Sequence, residues 1–313
     1  MRTQAPRHSA PPANKGLASI PSAVVTMSHR RLGDVMRIAY SFGLAAALFT
    51  WTADAAQFSA PADAPSIELD APYVPTAEPI VKSMLVLGGV GPNDIVYDLG
   101  SGDGRLPIAA VKEFGAKKGV GIDLDPVRVA EAKANAKKAG VEDRVIFHQG
   151  DMFEFDFSEA TLLPLYLLPE MMLKLRPKML DMKPGTRIVA HDYALGDWKA
   201  DKFETHGNAT LYFWIVPAKV NGTWQWRMNG KDYSVDINQT YQQVAGTMHA
   251  DSVKASLDIP MLVGDSLKFE ARLQGPNGTQ PLAFDGKVNG DSIDATVVLA
   301  GRAAKVVAKR VSK

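Results

Sequence analysis

Cysteine is missing from all 313 residues of the chain. Its absence removes disulfides, thiolate metal sites and cysteine nucleophiles, and it is compatible with either a reducing or an oxidising compartment. An excess of either charge is missing too. The 35 basic residues nearly match the 34 acidic ones, leaving a net charge of +1, so a general binder of nucleic acid or acidic membranes is not expected. A bilayer-spanning apolar run is also lacking: IAYSFGLAAALFTW, residues 38 to 51, falls short of the roughly 20 apolar residues that cross a membrane.

That short run carries a different signal. It follows the basic segment MSHRRLGDVMR, which starts at Met27, and it precedes Ala53-Asp54-Ala55. Basic, apolar and A-x-A parts in that order are the layout of a secretory signal. The expectation is export to the periplasm, with cleavage after Ala55 and no stable membrane span. Residues 1 to 26, rich in Pro, Ala and Ser without periodicity, are expected to be disordered or untranslated, with Met27 as the start. Residues 56 to 72 read as a Pro/Ala-rich linker.

The remaining chain is organised around VYDLGSGDGR, residues 96 to 105. Ile95, Val96 and Leu99 give strand character, and Gly100, Gly102 and Gly104 let the backbone turn and approach a ligand closely. A helical pattern starts at Leu106 (Leu106, Ala109, Ala110, Phe114), so the loop ends at a helix N-terminus with free N–H groups. The third glycine of the dinucleotide fingerprint is absent, because Arg105 occupies its place. A pyrophosphate is therefore the less expected guest. Asp98 opens the loop; it would repel a phosphate and could anchor an ammonium group.

The string DLGSGDG, residues 98 to 104, resembles motif I of the class I methyltransferases dependent on S-adenosylmethionine (SAM). That resemblance implies an α/β fold, a Rossmann-like doubly wound sheet, with SAM as cofactor. GVGIDLDP, residues 119 to 126, makes a second strand ending at Asp123. An acid some 20 residues past the loop is placed to accept both ribose hydroxyls. Asp125 suits the N-cap of the helix over residues 127 to 139, which Gly140 closes. A third strand, residues 144 to 149, leads to Gly150-Asp151-Met152. In the resembled family an acid at the place of Asp151 reads the adenine amino group, with the apolar Met152 against the ring.

Two further strings narrow the resemblance. YVPT at residues 73 to 76, and Leu-Tyr-Leu-Leu-Pro-Glu at 165 to 170 followed by Lys-Leu-Arg-Pro, resemble the small seven-strand lysine methyltransferases, archaeal and mitochondrial. The Asn-Pro-Pro-Tyr or Asp-Pro-Pro-Tyr of amino-methylating DNA enzymes does not stand here. In the lysine group the segment before the loop helps close the cofactor site, which makes Tyr73 and Thr76 candidate SAM-pocket residues. Thr76 is also placed to cap a helix with Pro79 in its first turn and Ile80, Met84, Leu85 and Leu87 on its apolar side. A fourth strand is expected over residues 160 to 169, with Tyr166 and Glu170 where a target nitrogen would enter. A fifth, residues 186 to 193, carries His191 as a candidate base, and residues 209 to 217 complete the sheet.

From Ala218 the pattern becomes short alternating runs separated by NG, GD, PNG and NGD turns. They predict a C-terminal all-β domain, a sandwich or open barrel of roughly six to eight strands. Trp214, Trp224 and Trp226 fall near the junction and could stack a ligand or pack the domains together. The expected division is thus residues 73 to 217 for the methyltransferase domain and 218 to 313 for the β domain. The expected activity is methyl transfer to nitrogen, with a protein lysine as acceptor and no metal. Small-molecule acceptors, O-methylation and a non-catalytic envelope module are the alternatives. Because SAM is made inside cells, cytoplasmic residence is the alternative to export.

Overall fold

The protein is described by a computed structural model covering residues 73–275 and 278–312; the expected leader, signal-like segment and linker lie outside them. β1 (Ile95–Leu99), β2 (Lys118–Asp123), β4 (Leu162–Leu165) and β5 (Arg187–His191) are almost entirely buried. Such continuous burial is what a parallel sheet covered on both faces demands. With β3 (Val145–Gln149), β6 (Lys202–His206) and β7 (Ala209–Ile215) they form one sheet in the order β3-β2-β1-β4-β5-β7-β6. Strands β3 to β5 run parallel, and β7 returns antiparallel beside β5. The strand order reverses between β1 and β4, and the carboxyl ends at that reversal are where an open α/β sheet holds its ligand.

The helices α1 (Glu78–Leu87), α2 (Arg105–Lys112) and α3 (Pro126–Ala139) cover one face through Met84, Leu106 and Ala132. The other face buries α4 (Pro169–Leu180) through Met172, Leu175 and Met179, together with Trp198 and Trp214. Three local expectations change. Thr76 does not cap α1: Ala77 holds that position without a side-chain bond, and Thr76 is buried with its carbonyl accepting from Arg105 Nη1 at 2.7 Å. β4 stops at Leu165, since Leu168 before Pro169 must be extended (φ −60°, ψ 152°) and residues 166 to 168 leave the sheet. Edge strand β6 was not expected; KFETH has no buried residue and so no apolar alternation to read.

Eight antiparallel strands follow: β8 (Gly222–Met228), β9 (Lys231–Thr240), β10 (Gln243–Ala250), β11 (Val253–Val263), β12 (Ser266–Gly275), β13 (Gly278–Asn289), β14 (Ser292–Leu299) and β15 (Arg302–Ser312). β15 pairs with β8, closing a barrel where a sandwich or open barrel was expected. Closure leaves no unpaired strand edge. The inward positions, among them Trp224, Trp226, Phe269 and Phe284, fill the interior. Trp224 and Trp226 are therefore barrel core and stack no ligand. Trp198 makes one of the contacts between barrel and sheet: it lies 6.2 Å from Trp214 and stacks on Tyr241 at 5.8 Å. Among the described residues no helix is long and apolar enough to cross a membrane.

Candidate functional site

A cleft of about 260 Å³ opens at the strand reversal. Its floor is built by the two turns that end β1 and β2. Asp98 lines it, only 4% exposed, and burial, then the nearby Asp123 and Asp103, push its pKa up to about 8. Among the described residues neither a cation nor a hydrogen-bond donor counters that rise. Ser101 adds a second buried polar group at the cleft, its hydroxyl without a partner among the described residues. Asp123 is held more firmly: Oδ2 accepts from the Gly102 N–H at 2.8 Å and Oδ1 from the Asp125 N–H at 2.9 Å. Each oxygen keeps a lone pair for a ligand. Asp125 caps α3 through the Val127 N–H at 2.8 Å.

The glycines divide by task. Gly100 lines the cleft. Gly102 has φ 52°, and a Cβ there would stand 2.3 Å from the Tyr73 ring. Gly104 is outside the cleft lining and closely packed: at φ 79° it is the N-cap of α2, and a Cβ would stand 2.4 Å from Phe147. Over this loop lies the strap Tyr73-Val74-Pro75-Thr76, all four residues lining the cleft. Arg128 sits 4.8 Å above the Tyr73 ring. Arg105 ties the strap down through the Thr76 carbonyl while its Nε and Nη2 grip Asp103 at 2.9 and 2.6 Å. Burial opposes ionisation of Asp103, but Arg105 outweighs it and holds the carboxyl below its ordinary pKa. Arg105, where the dinucleotide fingerprint wants glycine, is thus the strap's fastening; with Asp103 and Arg128 it was not foreseen.

The second wall comes from β4, α4 and the turn after β5. Tyr166, Leu167, Leu168, Met171 and Tyr193 line it, and Met152 lines the cleft from beyond β3. Tyr166 packs on His191 at 4.1 Å and stacks with Tyr193 at 6.4 Å. His191 is buried, does not line the cleft and leaves Nδ1 without a partner among the described residues. Burial lowers its pKa against the opposing charge of Asp192, so the ring is neutral near pH 7. Asp192 has φ 63°, and the Tyr193 N–H donates to the His191 carbonyl at 2.8 Å. That is a three-residue turn at positive φ, a strained form. Asp192 Oδ1 holds it by accepting from the Thr210 N–H at 2.9 Å, and Tyr193 is turned to the cleft. Glu170 and Asp151 lie outside the lining, both exposed; Asp151 Oδ1 accepts from the Phe153 N–H at 2.7 Å.

The arrangement suits an elongated guest with a cationic amine and a diol. A buried carboxylate that resists ionisation until a cation arrives, a locked acid at the end of β2 and an unpartnered Ser101 hydroxyl fit SAM. Methyl transfer needs alignment above all, and the second wall can supply it to an acceptor.

Residues 98–202 match the family described as ANTKMT methyltransferase domain. The chain is 41% identical to a protein-lysine N-methyltransferase of Saccharolobus islandicus over 150 residues, 46% of this chain and 93% of that protein. It is 30% identical to the adenine nucleotide translocase lysine N-methyltransferase of Mus musculus, over 42% of this chain and 58% of that one. A solved structure of an RNA methyltransferase from Salinibacter ruber in complex with S-adenosyl-L-homocysteine is 49% identical, covers 47% of this chain and 96% of its own, and superposes with a TM-score of 0.46.

Proposed function

Because the chain belongs to the class I SAM-dependent methyltransferases, in the protein-lysine N-methyltransferase family, we propose that it transfers a methyl group from SAM to the side-chain nitrogen of a protein lysine. The observation that carries this reading is one cleft lined both by the acids Asp98 and Asp123 and by the apolar and aromatic set Leu167, Met171, Tyr166 and Tyr193.

Bound in the cleft, SAM supplies a methyl group already activated on a sulfonium. Asp98 takes the charge of the amino end, Asp123 the ribose hydroxyls, and Met152 an apolar face of the base. On the acceptor side, the rings of Tyr166 and Tyr193 attract an arriving ammonium. Leu167 and Met171 disfavour the charged form, so the lysine gives its proton to solvent at the cleft mouth and reacts as the free amine. Tyr166, whose pKa is raised chiefly by burial and then by Asp192, keeps its proton. His191 acts on its neighbour, fixing the Tyr166 ring from the side away from the cleft.

Incubating the full chain with tritium-labelled SAM and a protein extract tests the reading. Label should be recovered as methyl-lysine after acid hydrolysis. Label confined to RNA or to small molecules would overturn the lysine assignment, and failure to bind SAM by calorimetry would remove its basis. We further propose, from residues 27 to 55 alone, that the chain is exported and cleaved after Ala55. An intact Met27 terminus in the soluble cytoplasmic fraction, found by N-terminal sequencing, would overturn that proposal.

A further inference from the structure

We propose that the β9–β10 turn of the barrel is part of the methyl-transfer machinery, with Tyr241 and Gln242 acting as positioning residues for Tyr193 at the acceptor wall. This rests on the methyltransferase reading above.

The turn joins Thr240 to Gln243 through two residues, of which the first, Tyr241, has φ 55°. Two-residue hairpin turns with a positive φ at that position favour glycine, which has no Cβ to clash. A tyrosine held there carries strain, and strain persists where surrounding contacts over-determine it. One of those contacts lies within the barrel, where Gln239 Nε2 donates to the Tyr241 carbonyl at 2.7 Å; most of the others reach the segment that follows β5. The Tyr241 ring stacks on Trp198, and its hydroxyl donates to Asp197 Oδ2 at 3.0 Å. Gln242 is fully engaged: Oε1 accepts from Trp198 Nε1 at 2.9 Å, while Nε2 donates to the Lys199 carbonyl at 2.8 Å and to Asp201 Oδ1 at 3.0 Å.

The same segment begins with the strained turn at Asp192 that aims Tyr193. It is therefore pinned at both ends, by Thr210 of the sheet at one and by the barrel turn at the other. A third tie comes from α4, where Arg176 donates to the Leu195 carbonyl at 3.0 Å and sits 5.7 Å over the Tyr241 ring. α4 also carries Met171 of the acceptor wall. None of these ties touches Asp98, Asp123 or the strap. The barrel turn thus bears on the acceptor half of the cleft and leaves the cofactor half alone.

The test uses the full chain with Gln242→Ala and Tyr241→Phe, the latter keeping the ring while losing the bond to Asp197. Gln242→Ala should speed amide hydrogen exchange over residues 192 to 199 about tenfold. With poly-L-lysine and tritiated SAM as probes, its KM for the polymer should rise about tenfold, while the Kd for SAM stays within about twofold. Tyr241→Phe should give a smaller change of the same kind. Unchanged exchange, or a SAM affinity that falls as far as the KM rises, would overturn the positioning role. A wild type that binds SAM yet leaves poly-L-lysine unlabelled counts against the lysine reading. The exchange result then still decides the positioning: faster in Gln242→Ala supports it, unchanged overturns it.

Discussion

Asp98→Asn should stabilise the free protein and at the same time weaken its hold on SAM. The folded chain holds the Asp98 proton up to about pH 8, against an ordinary value of 3.8. Below the ordinary value, folded and unfolded chains are both protonated and the residue costs nothing. Between the two values the unfolded chain ionises while the folded one does not, so stability falls as pH rises, by about 1.36 kcal/mol per unit. Above about 8 the loss is complete and constant. The interval of about 4 units sets a ceiling of about 6 kcal/mol, and relaxation around a buried charge reduces it to an expected 2 to 3 kcal/mol, roughly. Asparagine has the same shape and no charge to bury. The variant should therefore gain about 2 to 3 kcal/mol over the wild type near pH 8 and nothing near pH 4, as read by urea unfolding. Its affinity for SAM near pH 8 should fall about tenfold or more, since the cation loses its partner. Wild-type binding below pH 8 should release a proton, detectable by calorimetry in two buffers of different ionisation heat. A stability gain that is the same at both pH values, or an unchanged Kd, would refute the argument.

Other substitutions separate the two halves of the cleft. Asp123→Ala should cost about 1.5 to 3 kcal/mol of SAM binding by removing a charge-assisted pair of hydrogen bonds; an unchanged Kd by calorimetry would sink the ribose role. Gly102→Ala should displace the Tyr73 ring and weaken SAM binding about tenfold or more, because its Cβ would stand 2.3 Å from that ring; wild-type affinity would show that the strap does not close the site. Tyr193→Ala should leave the SAM Kd unchanged and raise the KM for a lysine polymer about tenfold, with Tyr193→Phe recovering most of the loss; equal damage in both would place the effect on the hydroxyl.

The cleft residues proposed for the cofactor were legible because their signals are local. Asp98, Gly100 and Asp123 each stand at a strand end, and a strand end followed by glycine or a helix cap is written in a few consecutive residues. The acceptor half was less so. Tyr166 was named by its position and lines the cleft, whereas His191, named as a base, stands behind it; Tyr193 depends on the positive φ of Asp192 and its bond to Thr210, a partner 18 residues on that no local pattern points to. Arg105 was noticed only as a missing glycine; its bond to the Thr76 carbonyl is a long-range fact. Glu170 and Asp151 are motif positions of the opposite kind, exposed and outside the cleft lining. In the β domain the alternation and turn residues gave the strands, whereas closure of β15 onto β8 is a pairing between the two ends of that domain. Trp224 and Trp226 looked like junction residues for the same reason: sequence proximity to the boundary says nothing about which way a barrel strand faces.

The tie between Gln242 and the segment after β5 has a consequence in time as well as in space. A chain is made from its N-terminus and its modules fold as they emerge. Asp98, Asp123 and the strap are all synthesised before Tyr193, and the turn that pins the Tyr193 segment follows 43 residues behind Lys199. If the barrel turn positions Tyr193 as proposed, the acceptor wall gains its last tie only after the residues that line the donor half have been made.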